Sequence, residues 1–240
     1  MSNIQGKSAI VTGATRGIGL AVTRALLDCG AKVFICSRST DDVERVVGSL
    51  RQDYGSRIQG ATCDVRSYDH VSSMFARVKQ ALGGLDVLIN NAGIGSRSYV
   101  EGMSIEEWDS TIQTNLSGVF YCCHEALPLM KQGGGGYIIN IGSLAGKNAF
   151  PGGAAYCASK FAIVGFSEAL MQEVRFDHIR VSYVMPGSVN TSFGRSGEQD
   201  AATSWKLASA DVATAVVNLI EMDPRALASR VELRPSEPKK

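Results

Sequence analysis

The chain is predicted to fold as one α/β domain on a parallel, doubly wound sheet. Three observations carry this expectation. Strand-type and helix-type segments alternate along nearly the whole length. The fourth strand segment, Asp86 to Asn90, is almost wholly apolar, as in a strand covered on both faces. Between the first strand and the first helix lies a glycine-rich turn, Thr12-Gly13-Ala14-Thr15-Arg16-Gly17-Ile18-Gly19, around which the rest of the chain is read.

Ser8-Ala9-Ile10-Val11-Thr12 is a short apolar strand. Ile18, Val22, Ala25 and Leu26 follow the turn with helical spacing, and Gly30 takes the left-handed closing position. The glycines let backbone approach a pyrophosphate, and the helix N-terminus offers free N–H groups and a partial positive charge. The spacing is G-x-x-x-G-x-G and not G-x-G-x-x-G, so the turn by itself equally describes a strand-to-helix corner with no ligand.

Lys32 to Ser37 is a second strand, and Ser39 or Thr40 caps a helix to about Tyr54 with Asp41 and Asp42 in its first turn. A third strand, Ile58 to Thr62, precedes a helix from Ser67 to Leu82 with Val71, Met74, Phe75 and Val78 on one face. Ser104-Ile105-Glu106-Glu107 is a capping box that opens one long helix toward Met130. Gly133 to Gly136 reads as a loop within the sheet, because the buried strand Tyr137 to Ile141 follows at once. A helix from Ala155 to about Phe176, a strand from Ile179 to Met185, a helix from Ser209 to Met222 and a short strand from Arg230 to Leu233 complete the pattern. Residues 1–234 are thus expected to form one domain, with a frayed tail at 235–240.

Hydrophobic residues make up 45%, which argues against disorder, and no apolar run is long enough to cross a bilayer. A formal charge of +1 sets up no long-range field, so neither nucleic acid nor a membrane is expected as a partner. No signal-peptide pattern opens the chain. The six cysteines (Cys29, Cys36, Cys63, Cys122, Cys123, Cys157) lack paired metal-ligand spacing, so reduced thiols in a cytoplasmic protein are expected. His70, His124 and His178 lie far apart, and no metal site is expected.

A ribose-reading residue belongs about 20 positions past the glycine turn, at the end of the second strand. A carboxylate there accepts from both ribose hydroxyls and repels a 2′-phosphate. This chain instead has Cys36-Ser37-Arg38-Ser39. Arg38 offers the planar fork suited to a phosphate, and Arg16 in the turn adds a second cation. NADP(H) is favoured. NAD(H) stays possible, since Asp41 and Asp42 follow closely and arginines ordinarily face solvent.

Tyr156 and Lys160 stand four apart on a predicted helix and so share a face. A free tyrosine titrates near ~10, and a neighbouring ammonium favours the phenolate at about 1.4 kcal/mol per unit of lowering. That makes a phenol usable as acid and base. Ser143, just after the fifth strand, sits at the carboxyl edge of the sheet, placed to donate to an oxygen on which charge develops. Asn115 lies within the long helix, where asparagine is a poor former; its side chain or backbone carbonyl is a candidate to hold a water leading toward Lys160. Each feature has an ordinary alternative: a surface pair, a loop serine, an exposed helix asparagine.

Taken together, the chain resembles the classical short-chain dehydrogenase/reductase family. The matching residues are the glycine turn, Asp64-Val65, Asn90-Asn91-Ala92-Gly93, Asn115, Ser143, Tyr156 with Lys160, and Pro186-Gly187, in the family's order from about Ser8 to Thr191. The resemblance implies a Rossmann fold with strand order 3-2-1-4-5-6-7 and hydride transfer between a nicotinamide and a carbonyl/alcohol pair. It implies that Tyr156 protonates the carbonyl oxygen, Ser143 orients it, Lys160 binds the nicotinamide ribose and lowers the tyrosine's pKa, and Asn115 completes a proton relay. For the coenzyme it implies Gly13, Thr15, Arg16, Gly17, Ile18 and Gly19 at the turn, Arg38 after the second strand, and Asp64 with Val65 at adenine. Asn91, Ala92 and Gly93 then line the adenosine-side ribose and sheet edge, and Pro186, Gly187, Val189 and Thr191 flank the nicotinamide.

Two departures stand out. Few residues lie between Thr191 and Ser209 for a substrate lid, leaving Phe193, Ala201, Trp205 and Leu207 to close part of a pocket. The chain also ends Arg230-Val-Glu-Leu-Arg-Pro-Ser236 in place of the family's valine–aspartate–glycine–glycine finish, so a homodimer through the two long helices is expected and a tetramer left open. The expected function is NADP-dependent reduction of a small carbonyl substrate, similar to the 3-oxoacyl-carrier-protein reductases. An acidic carrier needs a basic surface: Lys147 qualifies, whereas Glu168, Glu173 and Asp177 do not. The alternatives are an NAD-dependent alcohol or sugar dehydrogenase and a nucleotide-sensing regulator without turnover.

Overall fold

Successive residues of a β-strand point to opposite faces, and this sheet is covered on both. The computed structural model describes residues 3–191, 193 and 204–238. Seven strands, β1 (Ser8–Thr12), β2 (Lys32–Ser37), β3 (Ile58–Thr62), β4 (Val87–Asn90), β5 (Gly136–Ile141), β6 (Ile179–Pro186) and β7 (Arg230–Leu233), form one sheet. All neighbours are parallel, in the order β3-β2-β1-β4-β5-β6-β7. This is the doubly wound Rossmann arrangement expected. Ala9 and Val11 of β1 face one core, which α1 (Gly17–Asp28), α2 (Thr40–Tyr54) and α7 (Ser209–Glu221) cover with Leu26, Val46 and Val216. Ile10 faces the other, covered by α3 (Tyr68–Leu82), α5 (Gly118–Gln132) and α6 (Ala154–Val174) with Phe75, Cys122 and Ile163.

Helix ends follow their local chemistry. Gly30, at φ +89°, closes α1 while its N–H and that of Ala31 bond the carbonyls of Leu27 and Leu26. Ser39 and Ser67 cap α2 and α3 through the N–H groups of Asp42 and His70. The expected capping box at Ser104 is half formed. Ser104 accepts from the Glu107 N–H at 3.1 Å, but the Glu107 carboxylate turns away to accept the hydroxyls of Ser96 and Ser98 at 2.7–2.8 Å.

The single long helix expected from Ser104 to Met130 is also corrected. It is α4 (Ile105–Ile112) and α5 joined by a π turn at Gln113–Ser117 that contains Asn115. A widened turn of this kind exposes backbone groups that a regular helix would pair internally.

Between β4 and β5 the sheet carries a buried polar ladder. Asn90 Nδ2 donates to Asn140 Oδ1 at 2.9 Å, and Asn140 Nδ2 donates to Ser167 Oγ on α6 at 2.8 Å. Asn140→Ala removes both bonds inside an apolar layer. Its urea midpoint is expected to fall by the equivalent of about 2 kcal/mol, with the slope unchanged.

Candidate active site

The strand order reverses between β1 and β4, and a crevice opens at their carboxyl ends. Four hydrogen bonds define it. The N–H groups of Asn91 and Ala92 both donate to Thr12 Oγ1 at 3.0 Å, and Asn91 Nδ2 donates to the carbonyls of Thr12 and Gly13 at 2.9 and 3.0 Å. The Asn91 amide is therefore committed to holding the glycine turn against β4. Gly13 lies at φ +63°, and a Cβ there would stand 2.8 Å from Ala92 Cα. A Cβ on Gly19 would stand 2.4 Å from the Gly13 carbonyl oxygen, so Gly19 lets α1 seat on the turn and does not line the crevice. Gly17 and Ile18 do line it, at a helix N-terminus that no side chain caps.

The resulting cleft holds about 680 Å³, within the range of cofactor and ligand pockets. On the β1–β3 side its walls carry Gly13, Thr15, Arg16, Arg38 and Val65. Ala92 and Gly93 follow β4; Ser143 follows β5; Tyr156 and Lys160 come from α6. Pro186, Gly187, Val189 and Thr191 close the β6 side.

Besides Gly19, two expected residues, Asp64 and Asn115, are not among those that line the cleft. Asp64 grips Arg66 through both carboxylate oxygens at 2.6–3.0 Å, and that hydrogen-bonded guanidinium holds its carboxyl below the usual range. Asn115 Oδ1 accepts from the Ile94 N–H at 2.8 Å, while its Nδ2 donates to the Ile94 carbonyl at 2.9 Å and to Ser159 Oγ at 3.0 Å. Ser159 in turn donates to the Tyr156 carbonyl at 2.7 Å. Asn115 thus buttresses both the cleft loop and α6, with both of its N–H donors used in doing so.

Lys160 is buried, and its Nζ donates to the Ile141 carbonyl at 2.9 Å. Removal from water drives it down to about 8. The ammonium lies 5.8 Å from the centre of the Tyr156 ring. Other neighbours of the phenol also bear on its proton. Burial pushes Tyr156 up, and the Ser143 hydroxyl beside it pulls the other way.

Sequence reasoning missed the loop Ile94 to Arg97, Phe150, Ser188 and Lys206, all of which line the cleft. Their one legible signal is the pair Ser96 and Ser98, which the Glu107 carboxylate anchors. Phe193 lies 6.0 Å from Tyr156, ring centre to ring centre, and Trp205 joins the wall. Leu207 bridges to Val189, with Asn190 donating to the Leu207 carbonyl at 2.8 Å. Ala201 lies outside the described residues. In the stretch expected to fray, Pro235 and Pro238 line a smaller pocket shared with Ser143 and Tyr156.

The family model for short chain dehydrogenases matches residues 7–202. The chain belongs to the short-chain dehydrogenase/reductase family. It is 34% identical to dehydrogenase/reductase SDR family member 11 of Gallus gallus, over 99% of each chain. To the 3-oxoacyl-acyl-carrier-protein reductase FabG of Chlamydia muridarum it is 35% identical, over 83% of this chain and 80% of that one. Its fold superposes with a TM-score of 0.90 on an alcohol dehydrogenase of the archaeon Thermococcus sibiricus complexed with 5-hydroxy-NADP, at 29% identity over 98% and 99% of the two chains. This short-chain dehydrogenase is accordingly an oxidoreductase.

Keeping Lys160 buried costs stability. Below pH 8 both folded and unfolded chains carry its proton and the folded state bears the full desolvation cost; between about 8 and the ordinary 10.5 only the unfolded chain does, and the cost fades. Lys160→Met is therefore expected to be more stable than wild type at pH 7, by up to about 3 kcal/mol less the lost bond to Ile141. Chemical denaturation as a function of pH checks that the gap narrows above pH 8.

Proposed function

We propose that this oxidoreductase reduces a ketone to a secondary alcohol with NADPH, using Tyr156 as the proton donor. The observation that carries the reading is one cleft walled by Ser143, Tyr156 and Lys160 together with Arg16 and Arg38. The residues fit the coenzyme: a helix N-terminus without a side-chain cap suits a pyrophosphate, and Arg38 suits a 2′-phosphate. The T. sibiricus relative complexed with 5-hydroxy-NADP supports the same preference. NADPH, when bound, supplies the hydride.

The chain's own residues do the rest. The Ser143 hydroxyl donates to the carbonyl oxygen and orients it, and the Tyr156 phenol transfers its proton there as negative charge develops. The phenol carries its proton at neutral pH, which burial reinforces, and so has one to give to the carbonyl oxygen. Lys160, held by the Ile141 carbonyl, is the group to grip the nicotinamide ribose. Refilling of the proton falls to the main chain of the Gln113–Ser117 turn, since the Asn115 side chain is committed to Ile94 and Ser159. Asp64 then contributes by ordering the loop after β3 and not by touching adenine directly.

Phe120 and Phe161, about half exposed on α5 and α6, form an apolar face suited to a second copy, so a homodimer is the proposed assembly. The six free cysteines suit a reducing compartment, and the cytoplasm is the proposed location.

A panel of ketones with NADPH and NADH tests the reading. Tyr156→Phe is expected to lower kcat by about 100-fold or more; activity that survives it removes Tyr156 from the mechanism. Arg38→Gln is expected to weaken NADPH by about tenfold or more while changing NADH little, and equal use of both coenzymes by wild type would overturn the preference. Alcohol oxidation should accelerate toward alkaline pH, following loss of the raised phenol proton, while ketone reduction holds steady near neutrality.

A further inference from the structure

The chain carries nearly balanced charge, 24 lysines and arginines against 23 acids, yet its cleft does not. Arg16, Arg38, Arg97, Lys160 and Lys206 line it, Arg234 lines the adjoining pocket, and among the described residues no carboxylate lines either. Arg16 and Arg38 belong to the coenzyme end and Lys160 to the reacting centre. Arg97, Lys206 and Arg234 are left over. They follow β4, precede α7 and follow β7, so they lie across the strand reversal from Arg38. The two pockets share Ser143, Phe150, Tyr156 and Trp205 as lining residues, so both adjoin the reacting hydroxyls.

The way these cations are held preserves their charge. The Arg97 guanidinium sits over the Phe150 ring at 5.8 Å and the Lys206 ammonium over Trp205 at 5.8 Å. A ring face positions a cation without neutralising it. Neither side chain meets a carboxylate among the described residues. Arg234 does pair with Glu232, at 2.9 Å, but the same carboxylate also takes Lys147 and Arg230. One negative charge against three leaves that corner positive. Those partners hold the Glu232 carboxyl down at about 2, so it stays ionised and the surplus persists at any working pH.

We propose that the substrate carries a small anionic group, a carboxylate or phosphate ester, which Arg97, Lys206 and Arg234 bind while its carbonyl lies at Tyr156. This rests on the reductase reading above and names its substrate class. Oppositely charged rims raise the local concentration of such a ligand and orient it.

Matched pairs test it: acetoacetate against methyl acetoacetate, and dihydroxyacetone phosphate against dihydroxyacetone, each with NADPH at low and high salt. At least one anion is expected to exceed its neutral twin about tenfold in kcat/KM, with the gap closing at high salt; which anion does so separates carboxylate from phosphate. Combining Arg97→Gln, Lys206→Gln and Arg234→Gln is expected to lower kcat/KM for that anion, through KM, about tenfold more than for its twin. Equal use of each anion and its twin overturns the inference and leaves the reductase reading standing. A weakened Kd for NADPH in the triple variant, with substrate KM unmoved, assigns these cations to the coenzyme and overturns it too. Loss of turnover with every carbonyl tried, by wild type, overturns the reductase reading and this inference with it.

Discussion

Thr12 and Asn91 tie two halves of a parallel sheet together at the edge where ligands bind. A doubly wound sheet diverges at its topological switch point, because the chain leaves β1 in one direction and β4 in the other. Left untied, that crevice would be a weak seam. Here the Thr12 hydroxyl accepts two backbone N–H groups from the β4 side, and the Asn91 amide returns two bonds to the β1 side. Every other part of the site is referenced to this junction. It sets the glycine turn, hence the start of α1, and it sets Ala92 and Gly93, hence the loop that carries Arg97. Only glycine fits at 13 and 19, since the two segments approach within 3 Å of where a side chain would begin.

A second layer of bonds carries that order to the reacting groups. Asn115 clamps Ile94 with both ends of its amide and reaches Ser159, which bonds the Tyr156 carbonyl. Glu107 pins the same loop from α4 through Ser96 and Ser98. These bonds hold α6 and the cleft loop in one frame, so the Tyr156 phenol and the Lys160 ammonium keep their relation. The arrangement is costly, because a lysine and a phenol are both withdrawn from water. A site built on rigid elements and supported from behind sustains that cost.

Much of this was legible in advance. The apolar runs and their punctuation located the seven strands; the inner ones, buried on both faces, are almost wholly apolar, whereas the edge strand β7 was marked mainly by its place after the last helix. Tyr156 and Lys160 were legible from helical spacing, and Ser143 from its place after a strand. Asn115 was legible as a position but not as an agent: its neighbours in space, Ile94 and Ser159, are 21 and 44 residues away. The π turn was not read from the sequence: Thr114, Asn115 and Ser117 are weak helix formers, which marks a weak point in a helix but not a widened turn. That Asp64 pairs with Arg66, two residues on, was not legible in advance.

By itself, the sequence determined the fold class, the strand order through its family resemblance, and the candidates for the reacting groups, because periodicity and short motifs are local properties. Tertiary structure alone decided which of those groups face the cleft, which way burial moves their proton affinities, and that Arg97 and Lys206 join Arg16, Arg38 and Lys160 along its lining. Desolvation and charge surplus are sums over neighbours in space, and neighbours in space are what a linear pattern does not contain.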